Sequence, residues 1–137
     1  MPDPFRFSLR IYWEDTDAGG VVFYANYLKF FERARTEWLR SRGFGQERLR
    51  REQVAMFVVT DTALRYLRPA RLDDVIVVTV EVLQAGGASM RLQQQAWREA
   101  PAGAELLAEG TIRIGCVDPA TFKPRRIPMD LLSTPLR

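Results

Sequence analysis

Only one stretch of this chain carries a sustained helical period, and nearly all that follows it reads as strand. From about Tyr24 to Arg42, the residues Tyr27, Phe30, Phe31, Ala34, Trp38 and Leu39 recur at helical spacing, with Lys29, Arg33, Glu37 and Arg40 on the other side. Asn26 stands where a residue capping an early turn is expected, and Gly43 where a helix commonly stops. Ahead of it, the loose alternation Phe5, Phe7, Leu9, Ile11, Trp13 predicts a first strand from Phe5 to Trp13. Behind it, Gln46 to Gln53 predicts a short polar helical turn.

Strands are then predicted for Val54 to Leu67, for Val75 to Leu83, for Ala88 to Trp97, and for a last long segment. In that last segment Leu106, Ala108, Gly110, Ile112, Ile114 and Cys116 share one face, opposite Glu109, Thr111 and Arg113. Gly86-Gly87 and Pro101-Ala102-Gly103 supply turns, and Asp118-Pro119 ends the strand. The tail, punctuated by Pro124, Pro128 and Pro135, reads as peripheral. Strands joined by short turns pair antiparallel, because parallel neighbours need long crossovers. The prediction is an α+β domain spanning residues 1–137, one helix covering one face of a five-stranded antiparallel sheet. The other face must be solvated or buried against a partner. The nearly all-β-branched run Val75 to Leu83 favours burial on both sides, and so an oligomer.

The chain has no histidine and one cysteine, Cys116. A Ser-His-Asp or Cys-His triad, a histidine-ligated zinc site and a CxxC motif cannot be built within it. An enzyme of this composition that works without a cofactor or metal would draw its base from a carboxylate. Cys116 lies in the run Ile112-Arg113-Ile114-Gly115-Cys116-Val117 and reads as a small core residue. A lone thiol favours a reducing compartment. No window approaches the roughly 18 apolar residues of a membrane span, and no signal peptide is read at the start. A cytoplasmic location is therefore expected. The net charge of +3, with basic residues spread along the chain, argues against nucleic acid. Arg65, Arg68 and Arg71, and Lys123, Arg125 and Arg126, read as solvated surface groups, with contact to a phosphorylated small molecule as the alternative.

The chemistry concentrates in Asp15-Thr16-Asp17-Ala18-Gly19-Gly20-Val21-Val22-Phe23-Tyr24-Ala25-Asn26-Tyr27. Two carboxylates stand in a loop, two glycines permit close backbone approach, and a helix then begins, offering unpaired N–H groups and the positive end of its dipole. Such a helix start suits a developing oxyanion, with an aspartate facing the same ligand atom. The bland alternative is a loop whose aspartates satisfy backbone amides.

That segment resembles the signature of the hotdog-fold acyl-CoA thioesterases of the 4-hydroxybenzoyl-CoA thioesterase class, and more narrowly the Tol-Pal-associated, YbgC-type subgroup. Tyr12 to Val22, Phe30 to Glu37, Tyr66 to Asp74 and Cys116 to Pro119 carry the resemblance, in the order the elements predict. It implies a hotdog fold, homodimers or homotetramers with sites at subunit interfaces, an acyl-CoA substrate (or an acyl carrier protein in place of CoA), and no metal or cofactor. It assigns the catalytic aspartate to Asp17 and the carbonyl-polarising backbone N–H to Tyr24, where many relatives of the subgroup carry histidine. Gly19, Gly20 and Val21 follow as substrate-binding positions. Thr60 and Asp61 lie on a strand that passes the pocket in this fold, so either is placed to line it. The implied reaction is hydrolysis of the thioester to carboxylic acid and CoA, with Asp17 as nucleophile or as general base. Asp15 reads as a loop-structuring residue rather than a second catalyst. Glu32 reads as an ion-pair partner of Arg35 or Arg33 rather than a substrate-facing carboxylate. A dehydratase of the same architecture would need a histidine. A non-catalytic acyl-binding module is the remaining alternative.

Overall fold

The computed structural model describes residues 4–52, 55–128 and 131–132. Gln53, Val54 and Pro135 of the predicted elements lie outside them. The chain runs β1 (Phe5–Arg10), a single 3₁₀ turn (Trp13–Asp15), α1 (Asn26–Ser41), α2 (Gln46–Glu52), β2 (Met56–Tyr66), β3 (Val75–Gly86), β4 (Ser89–Ala100) and β5 (Gly103–Val117). The five strands form one antiparallel sheet in the order β1-β3-β4-β5-β2, in which short turns join β3, β4 and β5 while β1 and β2 take the two edges. This is the predicted helix-and-sheet arrangement.

Helix α1 supplies the ridge on which the sheet closes. Tyr27, Phe30, Phe31, Ala34, Trp38 and Leu39 are buried along one stripe and join a single core with Ile76, Val78, Val80, Met90, Leu92, Ile112 and Ile114. Phe30 and Phe31 are fully buried, each contributing about 1.5–3 kcal/mol of burial free energy. A polar side chain interrupts the buried row of β4. Gln94 is fully buried, and its Nε2 donates to the Phe31 carbonyl at 3.0 Å while its Oε1 accepts from Arg35 Nη1 at 2.9 Å. Both ends of the amide are satisfied, so burial costs little and the sheet is tied to one level of the helix.

Ridge and sheet fit because the sheet is bent. Pairing shifts between Val59 and Asp61 in β2, between Val82 and Gln84 in β3, and between Ala96 and Trp97 where β4 meets β5. Each irregularity bends its strand and raises the local twist. The last one moves a side chain that alternation had placed elsewhere. Ala96 pairs with Ala108 and Trp97 with Leu106, which skips Leu107. Leu107 is the fully buried residue, and Leu106 is only partly buried.

Other expectations are corrected. The first strand ends at Arg10, because Ile11 leaves the sheet to exchange hydrogen bonds with Asp73 and Asp74. Trp13 then sits 79% exposed in the 3₁₀ turn. Within one copy β3 is buried around Val78–Val80, and Val82 and Leu83 are exposed. The described part of the tail is not wholly peripheral. Ile127 and Leu131 are core residues, the Ile127 N–H donates to Gly87 at 3.0 Å, and Arg42 donates from Nε to the Leu131 carbonyl. Cys116 is buried as expected, and burial pushes its thiol pKa up. Among the described residues, no helix is long and apolar enough to cross a membrane.

Close packing between β5 and β2 makes one glycine sensitive. A β-carbon at Gly110 would overlap the Ala63 carbonyl oxygen and the Leu64 side chain. Gly110→Ala is therefore expected to cost on the order of 1–3 kcal/mol. Thermal melting should register a transition several degrees lower, whereas an unchanged melt would mean that β2 gives way there freely.

Candidate active site

The loop between β1 and α1 folds back on itself as a short hairpin. Thr16 pairs with Val22, the Asp17 N–H donates to the Val21 carbonyl at 2.9 Å, and the Gly20 N–H donates to the Asp17 carbonyl at 3.0 Å. The turn needs its glycines. Gly20 has φ +81, a conformation costly to side chains, and a β-carbon on Gly19 would press within 3.2 Å of Asp17 Oδ1. With glycine there, the Gly19 N–H donates to Asp17 Oδ1 at 2.8 Å. That bond fixes the carboxylate and engages one oxygen. Oδ2 has no partner among the described residues, and Asp17 as a whole is exposed.

Asp15 holds the loop together. Its Oδ2 accepts from the Tyr12 N–H at 2.8 Å, and its carbonyl accepts from the Phe23 N–H at 3.0 Å and from Asn26 Nδ2 at 2.8 Å. Asn26 thus plays a different part from the expected one. The residue before α1 is Ala25, without a side-chain cap, and Asn26 spends its amide tying the first helical turn to the loop.

This leaves the helix start open. Its first bonds run from Asn26 N to Phe23 O, Tyr27 N to Tyr24 O and Leu28 N to Ala25 O. The N–H groups of Tyr24 and Ala25 precede these bonds and have no acceptor among the described residues, the usual condition of a helix N-terminus. Tyr24 itself is clamped from the sheet side, where Tyr66 Oη donates to its carbonyl at 3.1 Å. Burial raises the pKa of the Tyr66 phenol and, more directly, that of Tyr27, so both hydroxyls stay protonated at neutral pH.

Two clefts flank the hairpin. One, of about 520 Å³, is lined by Trp13, Glu14, Thr16, Asp17, Gly20 and Leu72. The other, of about 270 Å³, is lined by Val22, Tyr24, Tyr27, Tyr66, Arg68 and Pro69. Asp17 lines the first and Tyr24 the second, and Thr16 and Val22, one on each cleft, pair across the hairpin. Gly19 and Gly20 stand with Asp17, while Val21 pairs with Arg71 of the β2–β3 connection. Thr60 does not join them within one chain. It sits at the β2 bulge, where its Oγ1 donates to Asp61 Oδ2 at 3.1 Å and accepts from Arg113 Nη1 at 3.0 Å.

Sequence reasoning missed two residues here. Tyr66 and Ala70 fall inside the Tyr66 to Asp74 stretch, but only their contacts with Tyr24, Val22 and Tyr27 give them a place at the site. The expected Glu32–Arg35 ion pair is also corrected. Arg35 bonds to Gln94, and Glu32 makes no ion pair among the described residues. Both line a third cleft, of about 310 Å³, between α1 and β2.

Because position 26 needs a donor and not a cap, Asn26→Ala should cost about 0.5–1.5 kcal/mol in a denaturant titration. Asn26→Asp should fail to recover it; recovery by aspartate would restore the capping role.

Comparison with known proteins places this arrangement. The profile of the Thioesterase superfamily matches residues 19–105. The acyl-CoA thioesterase YbgC of Haemophilus influenzae is 43% identical over 131 residues, covering 96% of this chain and 93% of its own. A probable thioesterase from Bartonella henselae superposes with a TM-score of 0.85 at 31% identity, over 92% of this chain and 100% of its own. A 4-hydroxybenzoyl CoA thioesterase, solved as a mutant in complex with 4-hydroxybenzoyl CoA, superposes with a TM-score of 0.87 over 94% of this chain and 96% of its own. At 17% identity, that last likeness shows the fold alone.

Proposed function

Since the chain belongs to the thioesterase superfamily, we propose that it hydrolyses acyl-CoA, taking up water and releasing a free carboxylic acid and CoA. The observation that carries this reading is the pairing of an open main-chain N–H at Tyr24 with a fixed carboxylate at Asp17, one hairpin apart. The thioester carbonyl oxygen accepts from the Tyr24 N–H, where the helix dipole favours the charge that develops on it. Asp17 Oδ2 then attacks the carbonyl carbon, expelling the CoA thiolate and leaving a mixed anhydride that water cleaves. Alternatively, it takes a proton from the water that attacks. One preorganised N–H donor is typically worth about 10²–10³-fold in rate, and a positioned base about 10²–10⁴-fold.

The donor at position 24 is a main-chain group, so tyrosine in place of histidine leaves the polarising element intact. The Tyr24, Tyr27 and Tyr66 rings instead shape the wall of the adjoining cleft, with Tyr24 and Tyr66 edge to face at 6.1 Å. Gly19, Gly20 and Val21 are assigned to substrate binding through the backbone. Thr60 is assigned to the site of a second copy, in a homodimer or a pair of homodimers. Exposed apolar side chains around β2 and the start of α1 support that assembly: Tyr24 is 63% exposed, Val59 50%, Leu28 46% and Tyr66 44%. The unpaired outer edge of β2 is a natural seam.

Release of free CoA from a panel of acyl-CoA thioesters tests the reading, and binding without release would identify a non-catalytic module. Asp17→Asn is expected to lower kcat by about 10²–10⁴-fold at unchanged oligomeric state, checked by light scattering. Parent-like turnover in that variant would remove Asp17 from the mechanism.

A further inference from the structure

The hairpin that bears Asp17 is braced from outside, and the brace ends on an arginine that no part of the mechanism uses. The β2–β3 connection, residues 67–74, lies against the hairpin. The Ala70 carbonyl accepts from the Val22 N–H at 2.8 Å, the Ala70 N–H donates to Tyr27 Oη at 3.3 Å, and Arg71 pairs with Val21. Ala70 is fully buried. Any shift of this segment therefore moves Val21, whose carbonyl accepts from the Asp17 amide, and Val22, which shares a cleft with Tyr24 two residues on.

The segment is held in turn by Arg98 of β4. Its Nη1 donates to the Pro69 carbonyl at 3.1 Å and to Asp74 Oδ2 at 2.9 Å, one acceptor at each end of the 69–74 turn. Its Nε and Nη2 donate to Glu105 Oε1 at 3.1 and 2.8 Å, anchoring the guanidinium to β5. Asp74 Oδ2 also accepts from the Arg71 N–H at 2.8 Å, which closes the turn. The Arg98 side chain is 21% exposed. A surface ion pair would need one carboxylate. This fork spans two carboxylates and a main-chain carbonyl, a geometry suited to a planar guanidinium and not to an ammonium.

We propose that Arg98 is a positioning residue for thioester hydrolysis, setting the relation of Asp17 to the Tyr24 N–H through Ala70 and Val22. This rests on the thioesterase reading above. The thioester carbonyl must meet both groups at once, its oxygen at the N–H and its carbon at the carboxylate, and a displacement of about 1 Å can cost as much as 10²-fold in rate.

Arg98→Met and Arg98→Lys, assayed as the full-length assembly below their melting temperatures, test the proposal. Arg98→Met should lower kcat by about 10–100-fold with KM changed less than about threefold. Arg98→Lys should recover part of the loss and decides the matter if the methionine variant fails to fold. Amide hydrogen exchange adds a readout that needs no turnover. The Val22 amide should exchange faster in both variants while the middle of the β3–β4 ladder keeps its protection. A lower melting temperature with parent-like kcat and parent-like Val22 exchange would make Arg98 a structural ion pair and overturn the proposal. If the parent protein releases no CoA, the thioesterase reading fails by itself. The exchange at Val22 then still decides whether Arg98 holds the hairpin.

Discussion

Five strands can close on this chain only because one helix presents a continuous apolar ridge to them. Tyr27, Phe30, Phe31, Ala34, Trp38 and Leu39 are buried along α1, and the buried rows of β3, β4 and β5 meet that ridge. Interdigitated apolar side chains resist sliding but carry no directional bond. The amide of Gln94 adds direction by bonding to the Phe31 carbonyl and to Arg35. Once the helix is seated, the place of its first turn is settled, and with it the open N–H groups at its start.

The site is built almost wholly from main-chain groups. Asp15 ties the hairpin to the helix through its carbonyl, Gly19 turns the Asp17 carboxylate with its amide, and Ala70 braces Val22. Side chains serve mainly to hold these atoms still. Tyr66 clamps the Tyr24 carbonyl, and Arg98 clamps the connection behind it. Under the proposed reading such a design suits a chain without histidine, because oriented peptide dipoles would supply the polarising field without a titratable donor.

The helix, the strands and their order were legible because each is written in a period. The buried stripe of α1 repeats at 3.6 and the alternation in β4 and β5 at 2, and the Gly86-Gly87 and Gly103 turns stand where the sequence places them. Departures arose where tertiary contacts overrode local pattern. The bulge that buries Leu107 in place of Leu106 cannot be read from alternation, which assumes no extra residue. Asn26 reads as a cap until the Asp15 carbonyl is seen to claim its amide. Glu32 and Arg35 have ion-pair spacing, yet a buried glutamine on β4 competes for the guanidinium. The Asp17 loop was legible from its glycines and from resemblance. The brace behind it was not, since Ala70, Asp74, Arg98 and Glu105 come together only through pairing of strands distant in sequence.

The segment beyond β5 carries a consequence for how much of the chain the fold needs. Ile127 and Leu131 fill the core between the β3–β4 turn and the end of α1, so the interior has no lid without them. Val117 ends the last strand and Ile127 follows within ten residues, so the sheet and its cover belong to one stretch of chain, and a chain stopped at Val117 would leave the apolar floor of the sheet bare to water.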